Sequence, residues 1–441
     1  MKGIMKVAGI IAEYNPFHHG HAHQIRLLKE AGFDYVVVVM SGDFVQRGAP
    51  AFIDKFTRTR MALTGGADLV LELPSLFAVS SAEYFAGAGV RILGALGCMD
   101  TLCFGYERVE EIDDADVKPL LLSMAEYLNQ EPAAYQAALA GLLREGKSYP
   151  AARAAALQDA FPKAAPFLSK PNNILALEYT RAILRYGLSM KICPIPRTDH
   201  GYHADLTDPA ASAVSASDVP DKVRFLSASD DSDTVCFLSA EGIRSRLLAG
   251  EPADAFIPRN AYTVLSEAMA SRGLTTADDF SALLFYKLLP EKDFSGYADC
   301  SPALSQKLLK GRSASCTFSG LASLLKTKDL TYTRISRVLF NIMLDHRQED
   351  LAFFSGSETE KTLYAKILGF RREAEPLFSR IKKSAGIPLV SKAADASALL
   401  SPGAFRLFSL DIQASKVYHL IDSERTKLRF PNDYEHPLEI L

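Results

Sequence analysis

The feature that most constrains the fold is a regular alternation of short apolar runs and longer amphipathic stretches near the start of the chain. The runs are rich in Val, Ile and Leu, as expected for strands that are covered on both faces. They span residues 6–12, 35–40, 69–73 and 101–104. The stretches between them are long enough for helices, so the pattern predicts βαβ units and a parallel sheet. Residues 191–195 are predicted to add a fifth strand.

The length of 441 residues allows two or three domains. We predict an α/β domain over 1–265 and a mostly helical C-terminal domain over 266–441, where apolar residues recur with helical spacing. Helical spacing is clearest at Ile335, Val338, Leu339, Ile342 and Met343. Residues 198–235 are rich in Asp, Ser and Ala without clear periodicity, which predicts a loop.

The composition is that of a soluble globular protein, with 48% hydrophobic and 23% charged residues. No apolar run approaches the length of a membrane-spanning helix, and no cleavable signal peptide is recognisable. The six cysteines are far apart, which favours reduced thiols and a cytoplasmic location. A net charge of −3 neither indicates nor excludes a nucleic-acid partner.

Four of the nine histidines lie within residues 18–23, in the string HHGHAH. The string follows the first predicted strand and opens the first predicted helix, at the edge where open α/β sheets bind ligands. Gly20 permits a close backbone approach, and a helix N-terminus favours phosphate. His18 and His21 can donate hydrogen bonds to oxygens that gain charge as an α-phosphate is attacked.

Metal binding is the alternative interpretation of this string, because interleaved histidines can ligate metal ions. A metal site would need a carboxylate or a further histidine nearby. We therefore favour phosphate binding and predict no metal held by these side chains.

An HxGH motif after a first strand resembles the signature of the nucleotidyltransferase superfamily, which includes the class I aminoacyl-tRNA synthetases. That superfamily also has a late Ser/Thr-rich motif that ends in Ile-Arg at the start of a helix. Residues 239–244, SAEGIR, are similar to it, although Ser239 is the one hydroxyl residue that remains. Ser239 is predicted to cap the helix that begins there. The resemblance makes Arg244 a candidate phosphate ligand, and an ordinary exposed arginine is the alternative.

Longer strings resemble the tRNA(Met) cytidine acetate ligase family. They are GIIAEYNPFHHGH, SGDFVQRGAPAFIDKFTRTRMALTGGADLVLELP, FGYE, KPNNILALEY and IPRTDHGYHA, with YAKILGF and IPLVSK towards the C-terminus. The resemblance implies a Rossmann-like fold of HxGH nucleotidyltransferase topology. It also implies an enzyme that uses ATP to activate acetate as acetyl-adenylate. The acetyl group would then pass to the exocyclic amine of the wobble cytidine of elongator tRNA(Met), with Mg²⁺ expected to assist.

The resemblance assigns His18 and His21 as catalytic and implies a set of ATP-binding residues in the matching motifs. That set is Ile11, Ala12, Glu13, Tyr14, Asn15, Pro16, Phe17, His18, His19, Gly20, His21, Ala22, His23, Gln24, Gly105, Asn172, Asn173 and Arg197. Asn172 is the first choice of the Asn pair, and capping of the helix that begins there is the alternative role. Further substrate or phosphate contacts are predicted at Asp43, Gln46, Arg47, Lys55, Ser239 and Arg244.

Residues 141–148 match the P-loop pattern GxxxxGKS letter for letter. A P-loop must follow a buried strand and open a helix. The residues before Gly141 are rich in Ala and Leu and are predicted to be helical, so Gly146 reads as a glycine at the end of a helix. We therefore reject this string as a nucleotide site.

Basic residues in the second part of the chain are candidates for tRNA backbone contacts, although interspersed acidic residues also fit ordinary solvated helix faces. They are Lys307, Lys310, Arg312, Lys326, Lys328, Arg334, Arg337, Arg371, Arg372, Arg380, Lys382 and Lys383. Two other functions stay open. One is a nucleotidyltransferase that makes a coenzyme-type dinucleotide, and the other is a non-catalytic RNA-binding protein. The oligomeric state is not predicted.

Overall fold

The computed structural model describes residues 5–197, 236–328, 330–356 and 362–441. The predicted loop 198–235 lies outside these ranges, as do residues 198–204 of the string IPRTDHGYHA. No helix in the described ranges is both long enough and apolar enough to cross a membrane.

The strands occur mainly in the first half of the chain and return near its end. They are β1 Val7–Ala12, β2 Tyr35–Ser41, β3 Phe44–Val45, β4 Ala49–Pro50, β5 Leu69–Leu73, β6 Thr101–Tyr106, β7 Lys191–Pro196, β8 Ala365–Phe370, β9 Leu389–Val390 and β10 Glu439–Ile440. All five strands predicted from the apolar runs are present, with ends within two residues of those predicted.

The helices before residue 260 are those between the main strands and a helical insertion before β7. They are α1 His19–Glu30, α2 Lys55–Thr64, α3 Ser75–Ala78, α4 Ala82–Ala95, α5 Asp114–Gln130, α6 Ala133–Arg144, α7 Tyr149–Ala156, α8 Ala164–Leu168, α9 Pro171–Arg185 and α10 Ala240–Leu248. The later helices are α11 Arg259–Arg272, α12 Ser281–Leu288, α13 Pro302–Gly311, α14 Phe318–Leu325, α15 Tyr332–Met343, α16 Gln348–Ser355, α17 Glu375–Ser384, α18 Ala396–Leu399 and α19 Pro402–Thr426.

The main sheet has the order β10-β8-β5-β2-β1-β6-β7, and β9 pairs with β8. Strands β5, β2, β1, β6 and β7 are parallel to one another, whereas β8 runs antiparallel to β5. The parallel strands thus follow the order third, second, first, fourth and fifth, which is a Rossmann-like arrangement. The predicted fold class is confirmed.

Successive side chains of each strand point to opposite faces of the sheet and so belong to two apolar layers, one on each face. In β1, Val7 and Ile11 face a layer that includes residues of α4, α5 and α9. Ala8 and Ile10 face the opposite layer, which includes residues of α1, α2 and α11. A third apolar cluster is built by α12 to α15 together with Phe44 of the β3–β4 hairpin.

The later part of the chain is helical over most of its length, but it also supplies β8, β9 and β10 to the main sheet. The predicted boundary after residue 265 falls inside α11, which packs against α2. A division into domains at this position therefore stays a prediction.

A buried ionic cluster joins the C-terminal segment to the parallel strands. The Lys55 ammonium, at the start of α2, is fully buried and lies 2.6 Å from Asp433, 2.9 Å from Glu72 and 3.6 Å from Asp43. Lys366 of β8 also contacts Glu72 and Asp433. Burial lowers the pKa of Lys55, but the three carboxylates outweigh burial and hold this pKa well above its usual value. Lys55 is therefore a charged structural group.

Replacing Lys55 with Met should lower the free energy of unfolding by about 3–5 kcal/mol, because removing one partner leaves buried carboxylates without compensation. Urea unfolding followed by circular dichroism measures this loss. The matched control is Lys382→Met, at an exposed position of α17, which should change stability by less than about 0.5 kcal/mol. Equal stability of the two variants would contradict a structural role for Lys55.

Candidate active site

The strand order reverses at β1, because the chain continues to β2 on one side of it and to β6 on the other. Open α/β sheets bind ligands in the crevice outside the carboxyl ends of the strands at such a point. The histidine string follows β1, and Gly105 and Tyr106 end β6, so both border this crevice.

Two histidines of the string hold the start of α1 through reciprocal hydrogen bonds. His18 is the N-cap residue, and its Nδ1 accepts a hydrogen bond from the backbone N–H of Gly20 at 3.0 Å. The Nδ1 of His21 accepts one from the backbone N–H of His18 at 3.3 Å. This is a capping box in which imidazoles take the place of the usual hydroxyl and carboxyl groups.

The hydrogen bonds determine which ring nitrogens carry protons. Because Nδ1 accepts a hydrogen bond in both rings, the neutral form of each ring bears its proton on Nε2. Burial lowers the pKa of His21 well below its usual 6.5, and the neighbouring His18 and Arg197 lower it further. His21 is therefore neutral near pH 7, and its Nε2–H is a hydrogen-bond donor.

Aromatic side chains fix the orientation of the His21 ring. The ring centroid lies 3.7 Å from that of His18, 4.6 Å from Tyr14 and 5.6 Å from Phe17. Tyr14 and Phe17 are themselves buried, and they contact each other edge to face. The ring orientation is therefore set by packing rather than by a flexible side chain.

Arg197 brings a permanent positive charge to the same region. It follows β7, its backbone N–H donates to the carbonyl of Tyr106, and its charge contributes to the low pKa of His21. A Cβ atom built on Gly105 would lie 3.2 Å from Cγ of Arg197. A side chain at residue 105 would crowd the arginine, so the glycine leaves room at this edge.

The two asparagines of KPNN have different surroundings. Asn173 is fully buried, and its amide is hydrogen-bonded to the backbone N–H and C=O of Glu107 and to the C=O of Phe167. Asn172 is half-buried and donates to the carboxylate of Glu107. Asn173 thus supports the loop after β6, whereas Asn172 lies where a ligand contact is possible. Contact of either residue with ATP stays a prediction.

Ser239 and Arg244 belong to a helix that reaches the loop after β1. Ser239 caps α10 as predicted, with its Oγ accepting from the N–H of Gly242 at 3.2 Å. Arg244 donates to the backbone carbonyl of Asn15 at 2.6 Å. The structure therefore brings Arg244 beside the loop that leads into the histidine string, although Arg244 and Asn15 are 229 positions apart in the sequence.

The loop after β2 is hydrogen-bonded to the loop after β1. The carboxylate of Glu13 accepts a hydrogen bond from the backbone N–H of Gln46 at 2.8 Å, and Arg47 lies 3.5 Å from Glu241 at the surface. Asp43 and Lys55 lie instead inside the buried ionic cluster, with Lys55 unexposed. This burial argues against the predicted substrate contacts of Asp43 and Lys55, because contact would require the cluster to open.

The chain is similar over nearly its whole length to proteins of one family. Residues 5–432 match the model of the HIGH nucleotidyl transferase family. The chain is 35% identical to the tRNA(Met) cytidine acetate ligase of Acetivibrio thermocellus, over 94% of each chain. It is 32% identical to the Bacillus subtilis protein of the same name, over 98% of this chain and 96% of that one. The chain belongs to the tRNA(Met) cytidine acetate ligase family. It is therefore a ligase, and the family predicted from the sequence motifs is confirmed.

A solved structure has the same fold. Thermotoga maritima TmcAL bound with alpha-thio ATP superposes with a TM-score of 0.84 and is 26% identical, over 99% of this chain and 100% of that one. The structural similarity therefore includes both the main sheet and the later helices of the present chain.

Arg58 is a residue of this ligase site that the sequence did not point to. It is fully buried in α2, and its guanidinium donates to the backbone carbonyls of Glu13, Ser41 and Gly42. It thereby joins the loops after β1 and β2. A charged residue on the inner face of a short helix was the available signal, but its partners are carbonyls that no sequence pattern reveals.

Glu107 is the second residue that the sequence did not point to. It was quoted within FGYE, yet it proves to be the common partner of both asparagines. No spacing rule links the two motifs, because they are separated by the helical insertion of α5 to α8.

In the part of the chain that the structure describes, the cysteines and metal-type side chains add no further centre. All six cysteines are free thiols, and Cys103 accepts a hydrogen bond from Gln24 at 3.4 Å beneath α1. Within the described ranges, no three His, Cys, Asp or Glu side chains gather as a metal site would require.

The low pKa of His21 predicts how stability changes with pH. In the unfolded chain this imidazole takes up a proton near pH 6.5, whereas in the folded chain it does so only at lower pH. Stability associated with the neutral ring is present above this pH and declines below it, by up to about 1.4 kcal/mol per pH unit. His21→Gln should reduce that decline in unfolding experiments. A His21 ring found protonated at pH 6.5 by NMR would contradict the assignment.

Proposed function

We propose that this chain is an ATP-dependent ligase that acetylates the exocyclic amine of the wobble cytidine of elongator tRNA(Met). ATP and acetate would first form acetyl-adenylate and pyrophosphate. The observation that carries the proposal is the pair of imidazoles at the end of β1, with Nδ1 of each occupied by backbone N–H and Arg197 nearby. The names of the relatives and the ATP analogue in the Thermotoga maritima structure support the same reaction.

In the first step, an acetate oxygen attacks the α-phosphorus of ATP, and the bond from this phosphorus to the bridging oxygen breaks to release pyrophosphate. Negative charge increases on the non-bridging oxygens of the α-phosphate. The Nε2–H groups of His18 and His21 are suited to donate to these oxygens, and rigid donors stabilise such charge without reorganisation. Arg197 adds a charge that does not depend on pH.

In the second step, the cytidine amine attacks the carbonyl carbon of the mixed anhydride. The bond to the phosphate oxygen breaks, AMP leaves, and the amine loses a proton. A cytidine amine is a weak nucleophile because its lone pair is delocalised into the ring, so an activated acyl group is required. The scheme needs no covalent enzyme intermediate.

Mg²⁺ fits this scheme as an ion coordinated by phosphate oxygens of ATP. Mg²⁺ at nucleotide sites keeps several waters and binds few protein oxygens. The carboxylate of Glu13 is the acidic group closest in sequence to the histidine string, but it already accepts from Gln46. Bound Mg²⁺ would neutralise charge on the departing pyrophosphate.

The later helices offer a partly available basic surface for tRNA. Arg334 and Arg337 are paired with Asp299, and Arg312 donates to the carbonyls of Leu288 and Glu291. Lys307, Lys310, Lys326 and Lys328 are exposed. We therefore assign backbone contacts with tRNA to these lysines rather than to the arginines.

Two alternative functions fit less well. A nucleotidyltransferase that makes a dinucleotide would share the histidine string, but it would leave the large helical part without a role. A non-catalytic RNA-binding protein would not need two imidazoles held in one tautomer. The relatives' names favour neither alternative.

Exchange of labelled pyrophosphate into ATP separates the three functions. We expect exchange that depends on added acetate and does not require tRNA, because adenylation is reversible. Stoichiometric AMP and acetylated tRNA should appear only when tRNA(Met) is added. Exchange that depends on an added phosphate-ester acceptor instead of acetate would favour the dinucleotide alternative, and no exchange with either acceptor would favour the binding protein.

His21→Ala should fold normally and lose at least about 100-fold in acetate-dependent exchange, the scale for removal of a donor to a developing charge. Circular dichroism and thermal unfolding check the fold. The matched control is Arg26→Ala on the same helix, where the arginine is half-exposed and pairs with Glu30. A His21→Ala rate within threefold of the control would refute the catalytic role.

A further inference from the structure

The helical insertion between β6 and β7 contains a cavity that the ligase reaction does not use. It has a volume of about 180 Å³ and lies between α5, α6, α7 and α9. Its walls are largely apolar and include Leu128, Tyr135, Leu139, Leu143 and Tyr149. Arg181, which also borders it, lies eight residues after Asn173 on α9, so the helix separates the cavity from the asparagine pair by roughly 12 Å.

Two arginines give the cavity a buried positive charge. Arg153 of α7 and Arg181 of α9 both line it, and both pair with the single carboxylate of Glu178. Arg153 is 9% exposed and Glu178 is 2% exposed. Two guanidinium groups against one carboxylate leave one excess positive charge in a poorly hydrated place.

Each guanidinium also has an unused donor. Nη2 of Arg153 and Nε of Arg181 are buried, and neither has a hydrogen-bond partner among the described residues. A buried N–H without a partner is costly, and the cost is greater for a charged group. A ligand that supplies an acceptor oxygen and a negative charge would relieve both deficits.

The rim of the cavity is apolar and open to solvent. Tyr149 is 50% exposed and Leu143 is 40% exposed. Glu131 also borders the cavity, but it is exposed to solvent at the rim rather than buried beside the arginines. An occupant should therefore combine an anionic group at the buried end with an apolar body towards the rim.

We propose that this cavity binds a small organic carboxylate with an apolar or aromatic body, at a site separate from the ATP crevice. The carboxylate oxygens would accept from the two arginines, and the body would pack against the leucine and tyrosine walls. RNA is disfavoured as the occupant because residues 114–185 carry eight Lys and Arg against seven Asp and Glu, which leaves no strong basic field.

Calorimetric titration of the full-length protein with sodium benzoate tests the site, with benzamide as a neutral probe of the same shape and inorganic phosphate as an anion without an apolar body. We expect one saturable benzoate site with a dissociation constant on the order of 1 mM or lower. Benzamide should bind at least tenfold more weakly, and phosphate should not compete. Equal affinity of benzoate and benzamide, or no saturable benzoate site, would overturn the proposal.

A pair of tryptophan variants separates this cavity from the acetate site. Leu143→Trp should fill the cavity from its exposed rim and weaken benzoate binding at least tenfold, without removing a buried charge. Leu122→Trp is the matched control, because Leu122 is 37% exposed on α5 and does not line the cavity. Unchanged benzoate affinity in Leu143→Trp would place the binding elsewhere and refute the assignment. Acetate-dependent exchange should be the same in both variants.

Discussion

The rest of the site depends on two cations of helix α2 that are buried beside the carboxyl ends of the strands. Lys55 and Arg58 are three residues apart, so both point inward from neighbouring positions of the same helix. Lys55 binds carboxylates from β5 and from the C-terminal segment, whereas Arg58 binds carbonyls of the loops after β1 and β2. Because an unpaired buried charge is costly, these loops and the C-terminus are held in place together.

Two kinds of group lie where the phosphates of ATP are proposed to bind. The imidazoles are neutral donors whose direction is set by backbone hydrogen bonds, and the guanidinium of Arg197 is a permanent charge nearby. A protonated His21 would be repelled by the nearby positive charge of Arg197, and this repulsion contributes to the low pKa of His21. Rigid neutral donors beside one fixed cation stabilise a developing negative charge while adding little repulsion when no nucleotide is bound.

Local patterns were sufficient to predict the parallel strands, the cap by Ser239 and the place of the histidine string, because each depends on neighbouring residues. Local patterns did not reveal partners that are distant in sequence. Lys55 was expected to meet substrate, yet its partners include Asp433, 378 residues away. Strands β8 to β10 were not predicted within the helical part, since β9 and β10 have two residues each and β8 is far in sequence from β5, with which it pairs. Asn173 was grouped with Asn172, although its buried amide serves the backbone of Glu107.

The P-loop string and the histidine string show that a motif must be interpreted together with the helices and strands on either side of it. Residues 141–144 of the former complete α6, and Gly146 adopts a left-handed backbone with φ of +83° just after that helix. The end of a helix presents unpaired carbonyls and partial negative charge, which repel phosphate. The histidine string precedes α1, where N–H groups and partial positive charge point outward. Ser148, the last residue of the P-loop string, is the N-cap residue of α7, but a helix rather than a strand precedes this string, so no strand end lies beside it. The histidine string follows β1 at the crevice of the sheet, and its imidazole cap stands at the amino end of α1.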